Sequence, residues 1–229
     1  MRFSNRREAG RRLGAALTGR PGPGRVVVLG MARGGVPVAA EVAEALGAEL
    51  DVMVARKLGA PGQPELGAGA VAEGGTVVAN REVMQAVGLT DAAVRAAAER
   101  EEPELQRRIA RYRRGRPLPD LGGAAVVLVD DGLATGVTAE AALLALRRCH
   151  PARLVLAAPV CAQETRGRLS SVADEVVCLS TPEPFTAVGL WYVDFTQTTD
   201  DEVVEVLDRY RAAHPPSNEP PDQDIRPSI

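Results

Sequence analysis

Residues 126–138, VVLVDDGLATGVT, combine side chains and spacing that suit one kind of ligand. An apolar run leads into Asp130 and Asp131, and small residues follow up to Thr138. A turn of small residues that opens a helix directs several backbone N–H groups at one point, and the helix dipole favours a phosphate there. The carboxylates repel a phosphate but accept hydrogen bonds from a pair of sugar hydroxyls. The pattern predicts a site for a ribose 5-phosphate group; the alternative is that the aspartates only end a strand and cap a helix.

Two kinds of segment alternate along the chain and would position this motif. Short apolar runs, typical of buried parallel strands, lie at 25–30, 51–55, 124–129, 154–160 and 175–179. Helical segments lie between most of them, at about 36–46, 138–149 and 163–171. The alternation predicts the α/β class, with an open, mostly parallel sheet flanked by helices. Ligands bind beyond the carboxyl ends of strands in such sheets, and Asp130 and Asp131 follow a strand there.

Other segments interrupt the alternation. Residues 57–75 are rich in Gly, Ala and Pro, which predicts a long loop with room for a hairpin. A charged helix is expected over 90–114, with Thr90 as its N-cap and Pro103 kinking or dividing it. We expect one domain over 1–213, with this helix in an insertion at about 76–122, and a disordered tail at 214–229.

The composition excludes several classes of protein. A formal charge of −3 argues against whole-surface attraction to nucleic acid, and no stretch is apolar enough to cross a membrane. No apolar run follows the basic N-terminal residues, so no signal peptide is expected and the protein is interpreted as cytoplasmic. The spacing of Cys149, Cys161 and Cys178 fits no zinc pattern, and these cysteines are expected to be reduced, buried thiols.

The arginine-rich run at 106–116 has three interpretations. A basic helix can bind RNA phosphates. The glutamates just upstream can instead neutralise it through pairs four residues apart, which is the favoured interpretation. The run can also belong to a mobile hood that closes over a ligand.

The motif at 126–138 resembles the signature of the type I phosphoribosyltransferases, and the resemblance extends over about residues 26–195. It implies that Asp130 and Asp131 hold the ribose hydroxyls of phosphoribosyl pyrophosphate (PRPP). The residues implied to bind the 5-phosphate are Ala134, Thr135, Gly136, Val137 and Thr138. Some relatives have a catalytic aspartate where this chain has Ala134, so the resemblance assigns no general base to the loop.

Two further segments resemble the rest of a donor site. The implied pyrophosphate loop follows the first strand and comprises Ala32, Arg33, Gly34 and Gly35. Paired glycines allow an unusual backbone with N–H groups facing an anion, although an ordinary strand-to-helix turn has the same composition. Arg56 and Lys57 end the second strand and are the implied catalytic cations that stabilise the leaving pyrophosphate. The alternative for this pair is a solvated surface position.

The segment 184–195, PFTAVGLWYVDF, resembles the base-binding hood of the hypoxanthine-guanine enzymes. The resemblance implies that Phe185 and Val188 contact the acceptor base and that Asp194 helps to hold a metal ion. Asp194 stands one residue further from Gly189 than in those enzymes. The alternative is a small aromatic core, which is favoured for Tyr192 and Phe195. The resemblance also implies a lysine after the fourth strand that reads the oxygen of a 6-oxopurine base. The segment there, PVCAQET, has no lysine, so a 6-oxopurine acceptor is not supported.

The layout as a whole resembles a bacterial branch of the family whose acceptor is unassigned. It implies a glycosyltransferase of nucleotide metabolism that moves phosphoribosyl from PRPP, with Mg²⁺, to a nitrogen acceptor, expected to be a nucleobase, and releases pyrophosphate. Relatives are commonly dimers, so a homodimer is the candidate assembly. A regulatory protein that binds PRPP without catalysis stays open, and so does an RNA-binding regulator.

Overall fold

Two sheets organise the computed structural model, which describes residues 2–60 and 63–215, with the backbone alone at 63–66. The strands are β1 (Val26–Met31), β2 (Glu49–Met53), β3 (Ala55–Ala60), β4 (Gln63–Ala72), β5 (Thr76–Ala79), β6 (Ala125–Val129), β7 (Arg153–Val160) and β8 (Glu175–Ser180). Five of them form a parallel sheet in the order β2-β1-β6-β7-β8, and β3-β4-β5 form an antiparallel sheet. The five predicted strands and the open parallel α/β architecture are therefore confirmed.

The helices are α1 (Arg6–Leu17), α2 (Gly35–Leu46), α3 (Arg81–Val87), α4 (Asp91–Arg113), α5 (Val137–Arg147), α6 (Gln163–Leu169) and α7 (Asp200–Ala213), and a 3₁₀ helix spans Val188–Trp191. Local signals account for several helix ends. Thr90 caps α4 as predicted, and Thr199 forms a capping box with Glu202 at the start of α7. In the part of the chain described, no helix combines the length and apolarity needed to cross a bilayer.

The parallel sheet is buried on both faces because most positions of its strands are apolar, rather than every second one. In β1, Val28 joins the core on one face, whereas Val27 and Leu29 join the core on the other. The sheet order places β1 beside β6, with β2 on one side of this pair and β7 and β8 on the other. Because the chain reverses its direction of winding between β1 and β6, their carboxyl ends border a crevice where ligands bind in open α/β sheets.

Most of the segment 57–75 lies in β3 and β4, which pair antiparallel. The long loop predicted there is therefore wrong, whereas the hairpin that the prediction allowed is confirmed. Small side chains permit the close packing: the Cβ of any larger residue at Gly69 would overlap the carbonyl oxygen of Val78 on β5. Helix α5 packs on β4 and β5. Buried Ala70 and Ala72 provide that contact surface, although an alanine- and glycine-rich sequence gives little strand signal by itself.

Helix α4 continues through Pro103, so the predicted division of the helix is wrong. Tertiary contacts on both sides of the proline hold the helix together, and before it Val94 and Ala97 are buried. Leu105 is fully buried, and Arg113 at the helix end is 1% exposed and pairs with Asp51 and Glu73. These contacts offset the cost of a proline inside a helix.

The expectation of reduced thiols is wrong for two of the three cysteines. Cys161 and Cys178 form a disulfide with a Cα–Cα distance of 6.1 Å, and Cys149 is free and half-buried. The pair lies at the neighbouring strands β7 and β8, where Ala158 is the register partner of Cys178. Strand pairing brings residues 17 positions apart into contact, which cysteine spacing alone does not predict.

Candidate active site

Asp130 and Asp131 lie directly after β6, at the crevice beside β1. The Asp131 N–H donates to Asp130 Oδ1 at 2.9 Å, and Arg6 Nε donates to Asp131 Oδ2 at 2.8 Å. Burial, together with the charge of Asp131, raises the pKa of Asp130 to about 8. Burial also raises the pKa of Asp131, although the charge of Arg6 opposes this shift. The site is therefore a shielded acid pair that favours hydrogen-bond donors or a cation.

The predicted pyrophosphate loop lies against this acid pair. The Ala32–Arg33 peptide bond is cis, and α2 begins at Gly35. A Cβ added at Gly34 would overlap the Asp131 carboxylate, and one added at Gly35 would lie 2.5 Å from the carbonyl oxygen of Val129. Only glycine fits where the backbone approaches so closely. The structure thus brings together two of the segments that the sequence singled out.

The predicted 5-phosphate loop opens helix α5. Gly136 is the residue before the helix, has φ +66°, and gives the first turn no side-chain cap, so backbone N–H groups there are available to a ligand. The Thr165 hydroxyl donates to the carbonyl oxygen of Ala134, and Arg168 donates to that of Thr135. Helix α6 therefore holds the carbonyl groups of the loop. A cavity of about 440 Å³ opens beside it, lined partly by Ala134, Thr135 and Val137.

Arg56 and Lys57 are the second and third residues of β3, so their predicted place at the end of the second strand is wrong. A single residue, Val54, separates β3 from β2. Arg56 Nε donates to Glu101 on α4 at 2.8 Å, and Glu104 lies 4.0 Å from Arg56 Nη1. Lys57 is exposed. Helix α4 therefore holds Arg56 in an ion pair, which the sequence did not predict.

The arginine-rich run of α4 is paired with acids, as the favoured interpretation expected. Arg107 and Arg108 bind Glu104 on their own helix, at 2.6 and 2.7 Å. Arg107 also reaches Asp200 on α7 at 3.3 Å, and Arg33 of the predicted pyrophosphate loop lies 3.6 Å from the same carboxylate. A chain of ion pairs thus connects the predicted pyrophosphate loop with α4.

The hood segment after β8 forms a small aromatic cluster. Its members are Phe3, Tyr192, Phe185, Val188, Trp191 and Phe195. The alternative interpretation for Tyr192 and Phe195 is confirmed, since the centroids of their rings are 5.0 Å apart and Tyr192 is buried. Val188 lies against the loop of the acid pair, where a Cβ at Gly132 would overlap it. Val188 and the partly buried Phe185 therefore remain candidates for the acceptor side.

Asp194, the predicted metal ligand, is exposed. Its Oδ1 accepts hydrogen bonds from the N–H and the hydroxyl of Thr196, at 3.0 and 2.7 Å, and these bonds lower its pKa. Within the described ranges, no three His, Cys, Asp or Glu residues cluster as a metal site. A metal-binding role of Asp194 stays a prediction.

Sequence reasoning did not find Arg6, whose guanidinium joins three parts of the site. In addition to Asp131, it donates through Nη1 to the carbonyl oxygen of Thr196 at 2.7 Å and lies 4.0 Å from the centroid of the Phe195 ring. The N-terminal segment contains several arginines, and only the tertiary fold distinguishes this one.

Comparisons with known proteins define the class of this molecule. The phosphoribosyl transferase domain model matches residues 19–191. Two proteins of Mycobacterium tuberculosis, from strains CDC 1551 and H37Rv and provisionally named phosphoribosyl transferases, are 51% identical over 207 residues, which is 90% of this chain and 46% of each relative. The chain thus spans about half the length of the curated relatives it matches.

A solved structure shares the fold of this chain. The crystal structure of TT1426 from Thermus thermophilus is 46% identical to this chain, with a TM-score of 0.77, and the match covers 92% of this chain and 99% of that one. The chain belongs to the phosphoribosyl transferase family, a family of glycosyltransferase-type enzymes. The resemblance seen in the sequence motif is confirmed.

Proposed function

We propose that this chain binds PRPP with Mg²⁺ and transfers the phosphoribosyl group to a nitrogen acceptor, with release of pyrophosphate. The observation that carries the proposal is the contact between Gly34 and Asp131. This contact places the loop at 32–35 against the acid pair in one crevice. The N-terminus of α5, which has no side-chain cap, lies next to it. Anion-binding backbone on both sides of a carboxylate pair suits a sugar with a phosphate at one end and a pyrophosphate at the other.

Each segment has a distinct role in this proposal. The N–H groups of residues 134–138 bind the 5-phosphate, and Asp130 and Asp131 accept hydrogen bonds from the ribose hydroxyls. The loop at 32–35 binds the pyrophosphate, with Arg33 close enough to contribute its charge. The nitrogen of the acceptor attacks the anomeric carbon while the bond from that carbon to the pyrophosphate oxygen breaks. The leaving pyrophosphate takes the bonding electrons, and the proton displaced from the acceptor nitrogen passes to water or to the pyrophosphate. Positioning and charge stabilisation lower this barrier.

The described residues suit a magnesium ion that arrives with the donor rather than a resident metal. Mg²⁺ commonly keeps several waters and is bound mainly through substrate phosphates. Asp194 is the predicted side-chain ligand, and no three metal-binding side chains cluster in the described ranges. When bound, the ion would neutralise the pyrophosphate and improve it as a leaving group.

The acceptor is expected on the side of the hood, where Phe185 and Val188 offer apolar contacts to a planar base.

Arg56 lies beside α4, and we propose that it leaves Glu101 to stabilise the departing pyrophosphate, with Lys57 as a second cation. An arginine has a higher affinity for a polyanion than for a single carboxylate, because a pyrophosphate accepts more hydrogen bonds.

Pyrophosphate release from PRPP and Mg²⁺, followed with a panel of purine and pyrimidine bases, tests the proposal. We expect turnover with at least one base, and loss of turnover in Asp130→Asn/Asp131→Asn. Wild-type protein that binds PRPP but releases no pyrophosphate with any acceptor would contradict transfer and favour the regulatory alternative. Arg56→Ala and the exposed helix variant Arg95→Ala form a matched pair, of which only the first should lower turnover.

A further inference from the structure

Arg6, the first residue of α1, lies at the junction of three functional segments. Its guanidinium contacts Asp131, the carbonyl oxygen of Thr196 and the ring of Phe195, and a Cβ built on Gly34 would lie 3.3 Å from its Nε. The side chain is only 12% exposed. One cation therefore borders the acid pair, the pyrophosphate loop and the hood.

The backbone holds Arg6 in this place by contacts on both sides. The preceding residues pair with the hood: the N–H of Phe3 donates to the carbonyl oxygen of Trp191 at 2.8 Å, and that of Val193 donates to the carbonyl oxygen of Phe3 at 2.8 Å. On the other side, α1 packs closely against α2, where a Cβ at Gly10 would lie 2.7 Å from the carbonyl oxygen of Val38. The position of Arg6 is thus fixed before any ligand arrives.

The positive charge of Arg6 lies beside one of the two shielded carboxylates, that of Asp131. Two neighbouring carboxylates resist double ionisation, and an adjacent cation favours the charged form. The titratable or charged groups that the structure describes against Asp131 are Asp130, Arg6 and Tyr192. Burial raises the pKa of the Tyr192 phenol, which stays neutral while it donates to the backbone carbonyl of Asp131 at 2.6 Å. Arg6 is therefore the cation that opposes the effect of burial on this carboxylate.

We propose that Arg6 is a positioning residue for the phosphoribosyl donor, which holds Asp131 ionised and oriented toward the ribose and ties this carboxylate to the hood. The inference rests on the proposed function, since it assumes that the acid pair receives ribose hydroxyls. Arg6 binds through Oδ2 of Asp131, and in the proposal Oδ1 accepts a hydrogen bond from a ribose hydroxyl. Because the same guanidinium contacts Phe195 and Thr196, one side chain links the acid pair to the hood.

The variants Arg6→Ala, Arg6→Lys and Arg7→Ala test this role. Arg7 is the adjacent, exposed residue of the same helix and serves as the matched control. Donor affinity is measured by calorimetry with PRPP and Mg²⁺ at pH 6, 7.5 and 9. A charge-assisted hydrogen bond corresponds to about a 10- to 100-fold effect, so Arg6→Ala should weaken binding by about this factor at pH 7.5. Arg6→Lys should restore part of the affinity, and Arg7→Ala should match the wild type.

The pH profile separates positioning from a purely structural role. Without Arg6 the acid pair ionises at higher pH, so the defect of Arg6→Ala should shrink between pH 6 and pH 9. A defect of equal size at every pH that lysine does not relieve would overturn the proposal, and so would wild-type affinity in Arg6→Ala.

A second measurement on ligand-free protein distinguishes this inference from the proposed function. Carboxyl carbon NMR of the acid pair should show titration at higher pH in Arg6→Ala than in the wild type or Arg7→Ala. An unchanged titration would overturn the ionising role of Arg6. If the titration shifts but the wild type binds no PRPP at any pH, the proposed function fails and the donor-positioning role fails with it, while the coupling of Arg6 to Asp131 stands.

Discussion

Replacement of Asp130 by asparagine should stabilise the protein, and the gain should grow with pH. Burial and the charge of Asp131 raise the pKa of Asp130 to about 8, from an ordinary value of 3.8. The folded protein therefore holds this proton more tightly than the unfolded chain does. The resulting stabilisation is complete below about pH 4 and is lost as the pH rises through 8. The amide of the variant would remain neutral and keep an oxygen that accepts a hydrogen bond from the N–H of residue 131.

The magnitude follows from the size of the shift. One pKa unit corresponds to about 1.36 kcal/mol, and about three units separate pH 5 from the folded-state pKa of Asp130. The advantage of Asp130→Asn over the wild type should therefore increase by up to about 4 kcal/mol between pH 5 and pH 9. The cost of an unpaired amide donor, about 1–3 kcal/mol, is independent of pH and cancels in this difference.

Urea unfolding of both proteins at pH 5, 7 and 9 provides the assay. Asp194→Asn is the matched control, because hydrogen bonds from Thr196 lower the pKa of Asp194 and this carboxyl is ionised in both states above pH 5. Its effect on the free energy of unfolding should stay constant from pH 5 to pH 9. If the advantage of Asp130→Asn is also constant over this range, the acid pair is not destabilised by its burial and the reasoning is refuted.

Two further substitutions test the close contacts of the site and the correction to the cysteines. Gly34→Ala should weaken PRPP binding by at least about 10-fold in calorimetry, because the added methyl group overlaps the Asp131 carboxylate. Gly167→Ala, whose added methyl group meets no atom within 4 Å, should bind PRPP as the wild type does. Equal affinity of the two variants for PRPP would contradict the described loop. Cys178→Ser should lower the free energy of unfolding without reductant by about 3 kcal/mol, since it opens a disulfide of sequence separation 17, while Cys149→Ser should change it little. Equal losses from both would argue against the disulfide.

The central sheet could be predicted from sequence because its strands are short apolar runs with helices between them. All five strands lie within a few residues of the predicted positions. Beyond the hairpin allowed at 57–75, the second sheet escaped prediction because Gly69, Ala70 and Ala72 have low strand propensity, and their role depends on the approach of α5. Helix α4 likewise continues past Pro103 through contacts made by distant residues. In both places tertiary packing outweighs local preference.

In the site, as in the fold, residues within local sequence patterns could be predicted and residues placed by tertiary contacts could not. Asp130 and Asp131 and the glycines beside them could be found because each segment carries its own local pattern, and the parallel topology brings the segments to one edge. Arg6 carries no such pattern: its partner Asp131 is 125 residues away in sequence. The pairing of Arg56 with Glu101 on α4 depends similarly on how α4 packs, which the charges alone do not fix.

Calorimetry of PRPP with the wild type and with Asp130→Asn/Asp131→Asn, each with and without Mg²⁺, tests the central claim most directly. We expect the wild type to bind PRPP with an affinity that magnesium increases, and the double variant to lose this binding while it stays folded. Equal binding by the two proteins would contradict the assignment of the acid pair to the ribose of the donor.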